Sequence, residues 1–260
     1  MSARSIQVSE NFWNFRGSFK VAGLLDLGTH ASLVRLGNGK FVFLDAYSLS
    51  PAARREVDEL TNFGEHLEAI LNLHPFHTLH VNRMHEMYPQ AILYGTARHL
   101  EKFPDLPWAE LRTEDPALHR LFAQDFDFSV PRGVDFISSN ESLHFSSVLV
   151  LHRASKTIHS DDTLMYVRLP LLMRWMSINN SVSFHPTLAK VLEKRAGAVQ
   201  DFRDWANELI ERWRHADNLC AAHTANLLAA DNRGDSIHAR LLQALDKVEP
   251  VLKAHEDKYG

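Results

Sequence analysis

The dipeptide Asn38-Gly39 narrows what this chain can fold into more than any other feature. It stands in a GNG turn between ASLVRL (Ala31 to Leu36) and KFVFL (Lys40 to Leu44), two short runs rich in strand-forming residues. Asn-Gly supplies the positive φ angles of a tight hairpin turn, so the two runs must return antiparallel. The second run ends on Asp45, a polar stop at a sheet edge. PAARREVDELTNFG then predicts a helix opened by Pro51 and closed by Gly64. LEAILNL (Leu67 to Leu73) and AILYG (Ala91 to Gly95) are short apolar runs suited to buried strands. Pro75 suits the first turn of a helix running toward Met87 and stopping before Pro89. Strand and helix therefore alternate through the first 95 residues, as in a layered α/β protein.

Beyond Leu100 the chain is loop-rich as far as Pro131. Strand character resumes in VDFISS, LHFSSVLVLH and KTIHSDDTLMYV. From about residue 186 the pattern is mostly helical. Leu188, Val191, Leu192, Val199, Phe202, Trp205, Leu209 and Trp213 recur at helical spacing, with Gly197 placed to bend or divide the helix. Ile237, Leu241, Leu245, Val248 and Leu252 form a final stripe, interrupted by Pro250, that either packs on the sheet or forms a homodimer contact. No repeat or linker divides residues 1 to 260, so a single domain is expected.

The 260 residues carry a net charge of −4, so no basic field gathers nucleic acid or anionic lipid. The one cysteine, Cys220, excludes an intrachain disulfide and a cysteine-only metal cluster. No basic-then-apolar leader and no apolar run long enough to span a bilayer is present, so a cytoplasmic protein without membrane partners is expected.

Chemistry concentrates in LNLHPFHTLHVNRMH, where His74, His77 and His80 fall three apart among the chain's 16 histidines. On a helix such residues fan across about 120°, and on a strand they alternate faces. Spacing alone thus supports part of a metal site and leaves open which members serve: His74 with His80, or all three. Downstream, LHFSSVLVLHRASKTIHSDDTLMY places His144 before a strand, a turn and a second strand ending in Asp161-Asp162-Thr163. ADNLCAAHTANL then places His223 after a short apolar run.

This order resembles the metallo-β-lactamase superfamily from about residue 18 to 230. There an opening hairpin, a strand into a histidine cluster, a histidine opening a hairpin, an aspartate closing it and a late histidine follow one another. The resemblance implies an αββα sandwich, two mixed β-sheets packed face to face with helices outside. It also implies a metal centre drawn from His74, His77, His80, His144, Asp162 and His223. Asp162 takes the place of the bridging carboxylate, or serves as general base if one ion binds. Asp45, which ends FVFLDAYS, and Asp161 become outer hydrogen-bond acceptors for the ligating imidazoles. One or two divalent ions are implied, zinc first, with iron or manganese as alternatives. A metal-bound hydroxide would then attack a small-molecule ester, lactone, amide or phosphodiester.

The chain departs from the family where His-x-His-x-Asp-His is expected. HPFHTLH lacks the aspartate that belongs to the second metal, with Thr78 or Leu79 near its place. A non-catalytic or redox member of the same fold is the alternative reading. His152 and His159 are expected to be exposed or hydrogen-bonded in the second hairpin rather than ligating. His85, His99, His119 and His185 are read as incidental or supporting residues.

Overall fold

The computed structural model describes residues 4–17, 20–21, 25–26, 29–167, 181–222, 225–232 and 234–260. In chain order the elements are β1 (Arg4–Ser9), β2 (Phe12–Gly17), β3 (Lys20–Val21), β4 (Leu25–Asp26), β5 (Thr29–Arg35), β6 (Phe41–Leu44), α1 (Pro51–Thr61), β7 (Leu67–Leu71), α2 (Val81–Met87), β8 (Ile92–Tyr94) and α3 (Ala97–Lys102). They continue with α4 (Pro116–Leu121), β9 (Phe126–Ser129), β10 (Leu149–His152), β11 (Thr157–Ser160), β12 (Leu164–Val167), β13 (Ser181–Phe184), α5 (Leu188–Val191), α6 (Ala198–Arg212), β14 (Asn218–Ala221), β15 (Asn226–Leu227) and α7 (Ile237–Tyr259).

The two-residue period of the strands decides which layer each side chain enters. Phe12, Val34, Val42, Leu44, Ala69 and Leu71 meet Phe126, Phe128, Val150 and Cys220 in the core between two sheets. Their chain neighbours Trp13, Leu33, Phe41, Phe43 and Ile70 point the other way, onto Ala53 and Val57 of α1 and Val81 and Met84 of α2. The first sheet runs β1-β2-β5-β6-β7-β8, and the second runs β15-β14-β11-β10-β9. On the outer face of the second sheet, Leu149, Leu151, Ile158 and Leu219 pack against Phe202, Trp205, Leu209 and Trp213 of α6 and Leu241 of α7. Helix, sheet, sheet and helix are thus stacked in that order. Both sheets are mixed: β6-β7, β7-β8 and β11-β14 are parallel, while the hairpin pairs are antiparallel.

Several local expectations are met for the reasons given. Gly39 takes φ 85° in the β5–β6 turn. Ser50 caps α1 by accepting from Ala53 N–H, but left-handed Asn62 ends the helix in place of the expected Gly64, which takes φ 86° two residues later. Gly197, at φ 80°, divides the C-terminal helical pattern into α5 and α6. The final stripe packs inside the chain, with Ile237, Leu241, Ala244 and Leu252 buried. Pro250 does not end α7, which runs on to Tyr259.

Two expectations are corrected. No helix starts at Pro75, because the backbone N–H of Phe76 is spent on the His74 ring and that of His77 on His74 C=O. The segment is a turn, and α2 begins only at Val81. VDFISS is not a strand either: Val134 makes one isolated bridge to Leu192, and Ser138 and Asn140 are taken up in local side-chain turns. Among the described residues, no helix is long and apolar enough to cross a membrane.

Gly133 joins this loop to α6 at close range. It sits at φ 71°, and a Cβ there would lie 2.0 Å from Ala198 C=O and 2.9 Å from Phe202 N. Gly133→Ala combines a left-handed penalty with a clash against helix backbone, together about 3 kcal/mol or more. A urea melt should show the midpoint falling with the m-value unchanged. A shift under about 1 kcal/mol would mean that the loop yields freely.

Candidate metal centre

Strand β7 delivers the chain to His74 at the carboxyl edge of the first sheet. Asp45 secures that end: it adopts φ 62°, its N–H donates to Leu71 C=O, and its Oδ1 accepts from Leu73 N–H at 2.8 Å. From the second sheet, β11 ends in Asp161-Asp162. Thr163 ties this turn to the segment leading into β10, accepting from Ser147 N–H and donating to Phe145 C=O. Being adjacent, the two carboxylates serve different neighbours.

Asp162 meets the histidine segment. Its Oδ2 lies 3.1 Å from His74 Nε2, 3.5 Å from His77 Nε2 and 3.5 Å from His144 Nδ1. One ligand atom from each of these four residues lies within 4.8 Å of every other. His74 and Asp162 are fully buried, while His144 is 39% exposed and leaves the group a way to solvent. Asp161 meets a second group, His30 and His159. Its Oδ1 lies 3.3 Å from His30 Nε2 and 3.4 Å from His77 Nδ1. His77 therefore stands between the two aspartates.

The first group fits a divalent ion by distance and by chemistry. Zinc bonds of about 2.0–2.1 Å in a tetrahedron place ligand atoms about 3.3 Å apart, close to the 3.1–3.5 Å between Asp162 Oδ2 and each of the three imidazole nitrogens. His74 Nε2 is buried without a hydrogen bond. His144 is oriented as a ligating imidazole should be: its Nε2–H donates to Glu141 C=O at 3.0 Å, which leaves Nδ1 for the ion. Loading carries a rearrangement, however. Phe76 N–H points at His74 Nδ1, which puts the proton of a neutral His74 ring on Nε2. The His74 and His77 rings also stack at 4.1 Å, so one of them turns if both share an ion.

Electrostatics divide the imidazoles. Burial, then the neighbouring His77 charge, lowers His74 and keeps it neutral. Burial also acts to lower His77, but Asp161 and Asp162 outweigh it and hold the ring protonated well above the usual range. Burial raises Asp45, and the Asp161 charge adds to it. Asp161 goes the other way: burial works against ionisation, but His77 prevails and pulls its carboxyl down.

Measured against the sequence reading, His74, His77, His144 and Asp162 come together, and His77 takes the place that His80 was expected to share. His80 is turned away: its Nδ1 lies 2.9 Å from Ser48 Oγ and its ring stands edge-on to Tyr47. The α2 start at Val81 rotates it out of the group. His223 lies outside the described residues. Thr78, near the place of the family's aspartate, accepts from Lys102 Nζ at 2.8 Å. Asp45 bonds His159 Nε2 at 2.9 Å rather than a member of the four-residue group. Neither His152 nor His159 is exposed; both are buried and hydrogen-bonded, His152 to Ser155 and His159 to Asp45 and Ser32.

His30 was missed. A signal existed in the strand parity: Phe12-Asn14-Arg16 and His30-Ser32-Val34 occupy inward positions, and the inward residues turn polar toward the site.

No family model matches the sequence, and no curated protein matches it. Solved structures do match. The DIM-1 metallo-β-lactamase exposed to ceftazidime superposes with TM-score 0.61 at 14% identity, over 96% of this chain and 99% of that one. A metallo-β-lactamase from Erythrobacter litoralis with β-mercaptoethanol in its active site gives 0.58 at 10%, over 95% and 97%. FIM-1 from Pseudomonas aeruginosa in its mono-zinc form gives 0.58 at 10%, over 95% and 96%. With two mixed sheets face to face, helices outside and near-complete mutual coverage, this chain has the metallo-β-lactamase fold.

Proposed function

We propose that the protein is a metal-dependent hydrolase of small molecules, with one divalent ion held by His74, His77, His144 and Asp162. The observation that carries this is the convergence of three imidazole nitrogens to 3.1–3.5 Å from Asp162 Oδ2, from two sheets and a connecting loop. His223 enters the proposal as a further ligand, and zinc is the first choice of ion. The mono-zinc form of FIM-1 supports a one-ion centre on this fold.

An ion bound there supplies Lewis-acid polarisation and activates water near neutral pH. The chain does the rest. Asp161 holds the Nδ1 side of His77, Glu141 C=O fixes His144, and Phe76 packs on the His144 ring at 5.3 Å. The Arg98 guanidinium lies over the Phe76 ring at 4.8 Å and is itself tied to Glu141 at 2.6 Å. Asp162, with no solvent exposure, is the carboxylate placed to hold a proton during turnover. Ester, lactone, amide and phosphodiester bonds are the substrate classes that such a centre serves.

Elemental analysis of protein purified without added metal tests this. About one equivalent of transition metal is expected. Its loss in His144→Ala or Asp162→Asn, with hydrolysis of a member of a four-class substrate panel, would support the reading. Metal-free protein that cannot be reconstituted would instead indicate a non-catalytic binding protein, and redox-active iron an oxidoreductase.

A further inference from the structure

The second buried group, His30, His159 and Asp161, offers three ligand types close together and invites reading as a second metal site. Its hydrogen-bond polarity argues otherwise. Arg16 can only donate. Its Nη1 reaches Asn226 Oδ1 at 2.6 Å, and it also donates to the carbonyls of Ala221 and Ala222. That pins the Asn226 amide, so Asn226 Nδ2 donates to Asn14 Oδ1 at 2.9 Å. Asn14 Nδ2 must then be the donor to Ser32 Oγ at 2.9 Å and to His30 Nδ1 at 3.1 Å.

Each imidazole is decided in turn. His30 accepts at Nδ1, so its proton sits on Nε2, which faces Asp161 Oδ1 at 3.3 Å. Ser32 Oγ accepts from Asn14 and keeps its one hydroxyl proton to donate to His159 Nδ1 at 3.0 Å, the direction that sets an N–H of His159 against the accepting Asp45 carboxylate. His159 then carries its proton on Nε2 and gives it to Asp45 Oδ2 at 2.9 Å. The rings stack across the two sheets at 4.3 Å, 8° from parallel; His159 Nε2 is hydrogen-bonded to Asp45, while His30 Nε2 stands 3.3 Å from Asp161 Oδ1 as a close polar contact without hydrogen-bond alignment.

We propose that His30 and His159 are positioning residues, held as Nε2–H donors by a hydrogen-bond chain that begins at Arg16, and that they orient Asp161 and Asp45 instead of ligating a second ion. The burial that lowers His30 keeps its ring neutral, as a donor of this kind requires. His74 differs in two respects. The donor facing its Nδ1 is a single loop N–H, and its group reaches solvent through His144, whereas His30, His159 and Asp161 are all sealed. The consequence is carried by Asp161: with His30 beside its Oδ1, the carboxylate is set to accept a hydrogen bond from His77 Nδ1–H, so that Nε2 is the nitrogen left for the ion.

Ring-nitrogen NMR of the metal-free full chain, labelled in histidine and assigned with His30→Gln and His159→Gln, reads the tautomers directly. Nε2–H at both residues is expected. Nδ1–H at either one, or metal-bound shifts at both on titration with zinc, would overturn the proposal. Asn14→Asp replaces the donor by an acceptor and should move the His30 proton to Nδ1; an unchanged His30 would count against the chain. The effect on the ion rests on the metal-centre reading above. His30→Phe should weaken zinc binding about 10–100-fold, while His30→Gln, which keeps an N–H toward Asp161, should retain most of it. Equal loss in both, or loss in neither, removes the positioning role. If the wild-type chain takes up no zinc, the metal-centre reading fails, and the tautomers alone decide this proposal.

Discussion

Asp162→Asn should abolish metal uptake while leaving the fold in place. Asp162 Oδ2 lies within 3.5 Å of all three imidazoles, and it is sealed from water. An amide of the same shape keeps the packing but removes the charge that offsets a dication in a low-dielectric site. Removing an outer partner of a metal ligand already costs about 10–100-fold in affinity, so removing a charged ligand should exceed 100-fold or so. The metal-free variant should not be much destabilised. Three buried carboxylates stand close together in this part of the chain, Asp45, Asp161 and Asp162. Losing one relieves repulsion as well as attraction, and His77 keeps Asp161 at 3.4 Å. Metal analysis and calorimetry on the same preparation check both halves. A variant that retains a full equivalent of metal would remove Asp162 from the ligand set.

Zinc should raise stability strongly, and more at pH 8 than at pH 6. A ligand at a thousandfold excess over its Kd stabilises the native state by about 4 kcal/mol, which is roughly 10 °C in Tm for a chain of this size. The pH dependence follows from His77. Its pKa in the metal-free fold lies well above the unfolded value, because Asp161 and Asp162 outweigh its burial. That contribution is fully present below about pH 6.5 and is lost as pH rises through the folded value. Asp161 is depressed, so its contribution holds above about pH 4 and is lost as pH falls toward its folded value. Opposing His77, the buried imidazoles of His30, His74, His99 and His152 are lowered by burial and take stability away as pH falls below about 6.5, so the His77 contribution is read from the loss above that pH. An ion must displace the His77 proton, so loading gains as that proton becomes easier to remove. Thermal unfolding at the two pH values, with and without zinc, measures the gap. An equal shift at both would mean that His77 is not deprotonated on binding.

The layer assignment was legible in the sequence because it depends on parity. Phe41, Val42, Phe43 and Leu44 alternate between two cores, and any chain with that alternation and Asn38-Gly39 before it must place them so. The error at Pro75 has a local cause as well. Proline favours a first helical turn, but the His74 ring and carbonyl compete for the next two backbone N–H groups and win.

The site divides differently. Through the resemblance that the order of its motifs carries, the sequence implied a metal centre drawn from the histidines at 74, 77 and 80 with His144, Asp162 and His223, and Asp45 and Asp161 outside it. It could not say which of His74, His77 and His80 would converge, because a one-residue change in where α2 begins turns an imidazole by about 100°. His30 and Arg16 lie in strands whose local sign of chemistry is a change from apolar to polar along their inward positions. They reach Asp161 and Asn226 across 131 and 210 positions of sequence only because two sheets close face to face. Local pattern fixes which face a side chain takes. Only the packing of one sheet on another determines which side chains then share a buried volume, and there the low dielectric makes the direction of every proton count.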